Sequence, residues 1–513
     1  MNQNQISILQ EKSRQLMHVG QYPAALEILN QIRSSGIQHP LFLLDQLLCC
    51  HKLRLHEQVL EIISELYSLC HRQGARLDFL GEELQKMGLY QHALETFRLM
   101  RHCHSDAERA VGAAREAALH LRLSSLEDAQ EALIRAEFHG SSYPEVRSAR
   151  AMWWMRHDPQ QALPILRELA QPRTGVPFTF TAAHGYHLAQ VLDQLERYDE
   201  AFISLSHAKK LEVQHDPMIK AFQSQQASWR SWHADALSFS REDAKRWQDE
   251  CAPYHDHAFL LGHPRSGTTL LEQVLDSHRA LRSVEESNLY SSCIDAQLMA
   301  QYSAGHDSHS FSTYVCSYPE IRLTSLREEY FHLLQREHSS NTDTQVWLDK
   351  NPALSIAIPR MAKTMPHSRI IYAQRDPRDV CISSFFLWCD RTPWSSQWLT
   401  LQDTIHHCAF THSIWTKTKE VLAQDWTVVR YEDMVDDIVA CGRKTTEFLG
   451  LEWHAHQADH KTHAAEKVVK SPTHLAVRKD IYRNSIGRWK NYEKWLQPFF
   501  EEFDPLLRES GYE

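Results

Sequence analysis

The apolar positions of this chain follow two different rhythms. Up to about residue 215 they recur every three or four residues, with few Gly or Pro between them and with Leu, Ala, Glu and Gln abundant. That spacing places one apolar face on each of a series of amphipathic helices. A short phrase returns within it: GQYPAALEIL, RLHEQVLEII, GLYQHALETF, SLEDAQEALI, DPQQALPILR and ERYDEAFISL. The residue that opens each second helix falls at Ala25, Val59, Ala93, Ala129, Ala162 and Ala201. The steps between these positions are 34, 34, 36, 33 and 39 residues. A small side chain there lets two helices approach, and the aromatic before it fills the turn.

Beyond about residue 250 the rhythm changes. AFLLG, VWLD, RIIYAQ and WTVVRY are short apolar runs of strand character, separated by helical stretches. Strands alternating with helices predict a parallel α/β sheet, with ligands at the C-terminal strand ends. RIIYAQ covers Arg369–Gln374; a helix is expected to open near Val380, and the WTVVRY strand to close on Tyr431.

The repeat phrase and its period resemble the tetratricopeptide repeat (TPR), which implies an α-helical solenoid. Such an array offers a surface to a peptide, a protein partner or a sister subunit, and carries no chemistry of its own. A plain helical bundle is the competing reading. The expected organisation is a TPR-like array over 1–215, a helical linker over 216–250 and an α/β domain over 251–513.

Composition narrows the classes. The chain has 513 residues, 42% apolar and 23% charged, as in soluble globular proteins, and its length calls for more than one domain. A net charge of −10 argues against bulk nucleic-acid binding. MNQNQISILQEKSRQLM has no apolar core of a signal peptide, and no run of 18 apolar residues exists, so no membrane span is expected. The 11 cysteines are scattered and include the neighbours Cys49 and Cys50. They suit reduced thiols in a cytoplasm.

The chemistry is concentrated in LLGHPRSGTTLLEQVLDSH, from Leu260 to His278. Gly262 and Gly267 have P-loop spacing, yet Thr268 stands where a nucleotide-binding loop carries Lys. Strand, glycine loop and helix N-terminus still aim backbone N–H groups at an anion. Arg265 is the loop's cation, suited to clamping a tetrahedral oxyanion without metal. PRSGTT in this setting resembles the 5′-phosphosulfate loop of sulfotransferases, whose donor is 3′-phosphoadenosine 5′-phosphosulfate. The resemblance covers about residues 255–513 and is nearest to the tyrosylprotein sulfotransferases and to bacterial proteins joining TPRs to a sulfotransferase domain.

The resemblance implies a set of roles. Arg265, Ser266, Gly267, Thr268 and Thr269 would cradle the phosphosulfate, and Arg375 with Ser383 would grip the donor's 3′-phosphate. Tyr431 would reach the adenine. Near the C-terminus, Thr473 would lie by the transferring group, and Arg478, Lys479 and also Arg483 would add charge at the 3′-phosphate. Glu286 in RSVEESNLY falls where the family places its general base, with Glu285 as the less favoured neighbour. Lys350 in VWLDKNP would polarise the leaving phosphate, against an alternative in which it merely pairs with Asp349. Leu387 departs from the pattern, because tyrosylprotein sulfotransferases carry an Arg there.

The implied reaction moves a sulfuryl group to a hydroxyl, protein or peptide tyrosine being the preferred acceptor, with carbohydrate or small-molecule acceptors as alternatives. A P-loop kinase and an inactive scaffold are the competing classes. HAHQADHKTH, from His454, has histidine spacings that would interest a metal, but it lacks H-E-x-x-H and C-x-x-C partners, and no metal is expected. Neither the acceptor nor the oligomeric state follows from these motifs.

Overall fold

The rhythm of the first 215 residues becomes six consecutive helix pairs. A computed structural model describes residues 3–18, 21–36, 39–53, 55–225, 239–305, 310–338, 344–389, 391–459 and 483–512. The chain divides into two units, Met1–Ser204 and Leu205–Glu513. The pairs are α1 (Gln3–His18) with α2 (Tyr22–Ser34), α3 (Pro40–Lys52) with α4 (His56–Cys70), and α5 (Gly74–Lys86) with α6 (Tyr90–Leu99). They continue as α7 (Asp106–Leu123) with α8 (Leu126–Gly140), α9 (Pro144–His157) with α10 (Pro159–Leu169), and α11 (Phe178–Gln194) with α12 (Tyr198–His215).

Ala25, Val59, Ala93, Ala129, Ala162 and Ala201 are each the fourth residue of the second helix in their pair, and all are buried. A first-turn residue of this size admits the neighbouring helix without forcing the axes apart. The α7–α8 pair extends the device, burying Ala110, Ala114 and Ala117 against Ala132 and Ala136. Its entry is fixed by Ser105, whose hydroxyl accepts from the Glu108 N–H while Glu108 reaches back to the Ser105 N–H.

The second unit is built on five parallel strands: β1 (His257–Gly262), β2 (Leu281–Glu285), β3 (Val346–Lys350), β4 (Arg369–Gln374) and β5 (Trp426–Arg430), ordered β2-β3-β1-β4-β5. Alternate residues feed two cores. Phe259, Leu261, Trp347, Ile370 and Tyr372 face one, and Ala258, Leu260, Leu348, Ile371 and Ala373 face the other. A sheet covered on both sides needs strands that present apolar residues to both faces. Among the crossing helices are α13 (Thr268–Asp276) after β1, α14 (Glu320–His338) before β3, α15 (Pro377–Phe385) and α16 (Leu401–Lys419) after β4, and α17 (Tyr431–Asp436) and α18 (Ile438–Phe448) after β5. After β1 the chain fills one side of the sheet, then returns to fill the other. That reversal leaves a crevice at the C-terminal end of β1, the place where open α/β sheets bind ligands.

Gly262 closes β1 at φ +135°, and a Cβ built there would lie 2.3 Å from the Ala373 carbonyl oxygen on β4. Its N–H donates to the Ser355 hydroxyl, which in turn donates to the Gly262 carbonyl, both at 2.8 Å. Gly262→Ala should therefore cost on the order of 2–4 kcal/mol, the sum of backbone strain and overpacking. Urea unfolding read by circular dichroism checks this; a loss under about 1 kcal/mol would mean the strand end tolerates a side chain.

Candidate active site

From Gly262 the chain turns through His263, Pro264, Arg265, Ser266 and Gly267 into α13. Arg265 and Gly267 both sit at positive φ, +76° and +92°. Those angles curl the loop over the end of α13, whose cap is a glycine without a side chain and whose first turn holds no acidic residue. Among the described residues this helix start has no side-chain cap and carries no acid of its own, the arrangement an anion site requires. Ser266, Thr268 and Thr269 are all buried beside them. A Cβ on Gly267 would lie 2.6 Å from the Tyr431 ring, so α17 packs directly on the loop.

Four of the residues singled out in the sequence converge around this loop. Arg265 Nε donates to Ser383 Oγ at 2.9 Å, and Arg375 Nη1 donates to the Arg265 carbonyl at 3.0 Å. The Arg375 guanidinium lies 4.6 Å from the centre of the Tyr431 ring. Asp379 anchors the group from below. Its fully buried carboxylate is 3.9 Å from Arg375 and accepts the Gly487 and Trp489 N–H groups at 2.7 and 2.8 Å. Burial pushes the Asp379 carboxyl up against the opposing pull of Arg375 and these donors. Arg375 Nη2 also donates to the Ser485 carbonyl, and the Arg378 guanidinium lies 4.1 Å from the centre of the Trp489 ring, so the segment around GRWKN (487–491) is held by Arg375, Arg378 and Asp379.

A second cluster occupies the ends of β2 and β3. The Lys350 ammonium is fully buried and lies 2.9 Å from Glu286 Oε1, 3.3 Å from Glu272 Oε2 and 3.5 Å from Glu285 Oε1. Burial opposes its charge, but Glu272, Glu286 and Glu285 more than offset that and hold the ammonium above the ordinary lysine value. Glu286 takes φ +47°, and its N–H donates to the Lys350 carbonyl at 2.7 Å. Asn351 Nδ2 staples the same turn by donating to the Ser287 carbonyl. The Glu286 side chain is 38% exposed whereas that of Glu285 is 5% exposed, so Glu286 is the one an incoming molecule meets. Asp349, by strand alternation, points to the other face and accepts from the Tyr330 hydroxyl at 3.0 Å. Lys350 therefore pairs with the three glutamates rather than with Asp349.

Three expectations need correcting. The helix after β4 opens at Pro377, with Asp376 accepting the Arg378 N–H as its cap, rather than near Val380. Ser383 consequently lies in its second turn. Tyr431 opens α17 instead of closing β5, because the strand pairing ends at Arg430 opposite Gln374. Arg483 does not join the cluster around Arg375: it is exposed and pairs with Asp436 at 2.7 Å. Thr473, Arg478 and Lys479 lie outside the described residues, as do His460 and His463. His454 stacks on His278 at the far end of α13, with His456 beside it. Glu272 and Asp379 were not singled out from the sequence. The available signal was the acid set among the apolar residues of TTLLEQVLD, for Glu272, and the second acid of DPRD, for Asp379.

Residues 256–455 match the model of the Sulfotransferase family. An uncharacterized protein of Aquifex aeolicus (strain VF5) is 25% identical over 335 residues, covering 64% of this chain and 42% of that one. Sulfotransferase 2A1 of Rattus norvegicus is 26% identical over 163 residues, covering 28% of this chain and 56% of that one. The chain thus spans about half the length of the curated relatives it matches. Among solved structures, sulfotransferase STF9 from Mycobacterium avium aligns over 66% of this chain and 96% of its own at 14% identity, with a TM-score of 0.29. Mouse sulfotransferase SULT7A1 complexed with PAP aligns over 53% of this chain and 92% of its own at 17% identity, with a TM-score of 0.32.

The paired strand ends make a pH prediction. Burial pushes the Asp349 carboxyl up to about 7, against the pull of Tyr330 and Lys350. Between roughly pH 4 and pH 7 the folded chain then holds a proton that the unfolded chain releases, so stability falls as pH rises through this window. Asp349→Asn keeps the acceptor for Tyr330 and removes the titration. Its stability relative to wild type should rise from pH 4 to pH 8, by on the order of 2–4 kcal/mol. Denaturant titrations at the two pH values check this, and a difference independent of pH would refute it.

Proposed function

We propose that the sulfotransferase-family domain formed by residues 256–455 uses 3′-phosphoadenosine 5′-phosphosulfate as donor and sulfates a hydroxyl, with a phenolic protein or peptide side chain as the acceptor it suits best. The observation that carries the reading is the contact of Glu286 with Lys350, 2.9 Å apart, at the same sheet edge as the open N-terminus of α13. A proton acceptor and a fixed cation beside an anion loop are the parts that in-line transfer between two oxygens requires.

The residues divide the work by their chemistry. The N–H groups at the start of α13, with Ser266, Thr268 and Thr269, hold the phosphosulfate, and Arg265 clamps it. Arg375 and Ser383 take the 3′-phosphate, and the Tyr431 ring packs the adenine. In the transfer, the bond from sulfur to the phosphate oxygen breaks while one forms to the acceptor oxygen. The acceptor's proton passes to Glu286, and Lys350 offsets the charge left on the phosphate. A carboxylate base matches a phenol, whose proton is far more acidic than that of an alcohol. Thr473, Arg478 and Lys479 are proposed to complete the donor site from the C-terminal segment. The helical array is proposed to recruit the acceptor or its carrier protein. No described helix is long and apolar enough to cross a membrane.

Labelled donor offered to lysate fractions, followed by mass spectrometry of the product, identifies the acceptor; absence of any sulfated product would overturn the reading. Calorimetry in EDTA should show 3′-phosphoadenosine 5′-phosphate binding more tightly than ADP. Arg375→Ala should weaken the former by about tenfold to a hundredfold, the loss of one charge-assisted contact. Equal affinity for the two nucleotides would refute the clamp.

Glu286→Gln should leave donor affinity nearly unchanged and lower turnover by roughly 10²–10⁴. Glu285→Gln should do much less, and phenols of low pKa should partly rescue Glu286→Gln. Parallel losses in the two variants, without rescue, would show that the exposed carboxylate is not the base.

A further inference from the structure

One ammonium and three carboxylates meet at the ends of β2 and β3, and the transfer reaction disturbs that balance. When Glu286 takes the acceptor's proton, Lys350 loses its nearest counter-charge while remaining fully buried. An ammonium out of water keeps its proton only if other charges hold it. We propose that Glu272 is a positioning residue that keeps the Lys350 ammonium charged and oriented after Glu286 has been neutralised. This rests on the transfer reading given above.

Glu272 is placed for that task. It lies on α13, the helix whose N-terminus forms the anion loop, so it ties Lys350 to the phosphate-binding element. It is fully buried, 3.3 Å from Lys350 Nζ through Oε2, while its Oε1 accepts the Ser283 hydroxyl at 2.6 Å. Ser283 is itself fixed, because its N–H donates to Asp276 at the other end of the same helix. Among the described residues the charged groups around Lys350 are Glu272 from α13, Glu285 and Glu286 from the end of β2, and Asp349 preceding it on β3. After Glu286, Glu272 is the nearest of these to the ammonium, at 3.3 Å, and Glu285 stands slightly farther off at 3.5 Å. A buried glutamate with no role at Lys350 would be an expensive way to fill a helix face.

Glu286→Gln imitates the base after it has accepted its proton, so it serves as the background for the test. Lys350 is held above the ordinary lysine value of about 10.4. Its stabilising contribution is therefore complete below that value and is lost as pH rises through the folded value. Thermal unfolding between pH 7 and pH 11 should show Glu286→Gln losing stability above about pH 10, as the raised Lys350 loses its advantage over the unfolded chain, whereas Glu272→Gln/Glu286→Gln, in which Lys350 is no longer held up, should lose distinctly less over the same range. The same pair carrying Lys350→Met should show no such difference. Parallel curves with and without Glu272, offset equally at every pH, would overturn the proposal.

A kinetic arm reads the catalytic consequence. With labelled donor and 4-nitrophenol, Glu272→Gln should lower kcat by about tenfold to a hundredfold, keep the donor KM within about threefold, and move the alkaline limb of the pH profile downward. An unmoved limb would also overturn it. If Glu272→Gln does not fold, Glu272→Gln/Lys350→Met decides: regained folding supports action through Lys350, and continued failure refutes it. The unfolding arm needs neither donor nor acceptor. A wild-type protein that transfers nothing therefore defeats the transferase reading, whereas an unshifted unfolding curve defeats only the role of Glu272.

Discussion

Burying the Lys350 ammonium is the constraint around which the C-terminal edge of the sheet at β2 and β3 is arranged. An isolated buried ammonium would give up its proton, so the fold has to bring carboxylates to it from other elements. Strand pairing supplies two of them, since Glu285 stands opposite Lys350 in the β2–β3 register and Glu286 follows it. The helix after the anion loop supplies the third. The cost of the left-handed turn at Glu286 is tolerable in this light. That turn aims a carboxylate back over the strand end while its N–H closes on the Lys350 carbonyl. Removing any one of these groups leaves the others unbalanced, with Lys350, Glu272 and Glu285 buried and Glu286 half exposed.

The second edge of the site is organised by Asp379 in a similar way. One buried carboxylate receives two backbone N–H groups from the C-terminal GRWKN segment and lies against Arg375. Arg375 in turn bonds backbone on both sides, to Arg265 and to Ser485, and covers the Tyr431 ring. Elements separated by more than a hundred residues of chain are thereby held to one anion loop. The two clusters differ in sign. The arginines lie toward β4 and β5, the carboxylates toward β2 and β3, and the open helix end of α13 stands between them. A polarity of that kind lets an anionic molecule be gripped on one side while a proton is removed on the other.

The helical unit follows a different logic. Its core is built from the apolar faces of successive helices, with a buried Ala or Val as the fourth residue of every second helix, rather than on a central sheet. Because each contact is local in sequence, a 39-residue step before the last pair is absorbed without disturbing the earlier ones. Long-range contacts, by contrast, dominate the second unit, where β1 pairs with strands about ninety and a hundred and ten residues away.

Sequence alone determined whatever depends on local spacing. The six second-helix positions, the strands ending at Lys350 and Gln374, and the glycine loop at 262–267 were legible because helix period, strand alternation and turn chemistry are short-range properties. Boundaries were less so: the helix expected to open near Val380 opens at Pro377, since proline is at home in the first helical turn. Partners were the least legible. The bond between Arg265 and Ser383, and the gathering of Glu272, Glu285 and Glu286 on Lys350, join residues from separate motifs. Nothing in the spacing of one motif states which face of another it will meet. Only the tertiary structure decided that Lys350 turns to the glutamates and Asp349 to Tyr330, because pleat and register assign successive side chains to opposite faces of the sheet.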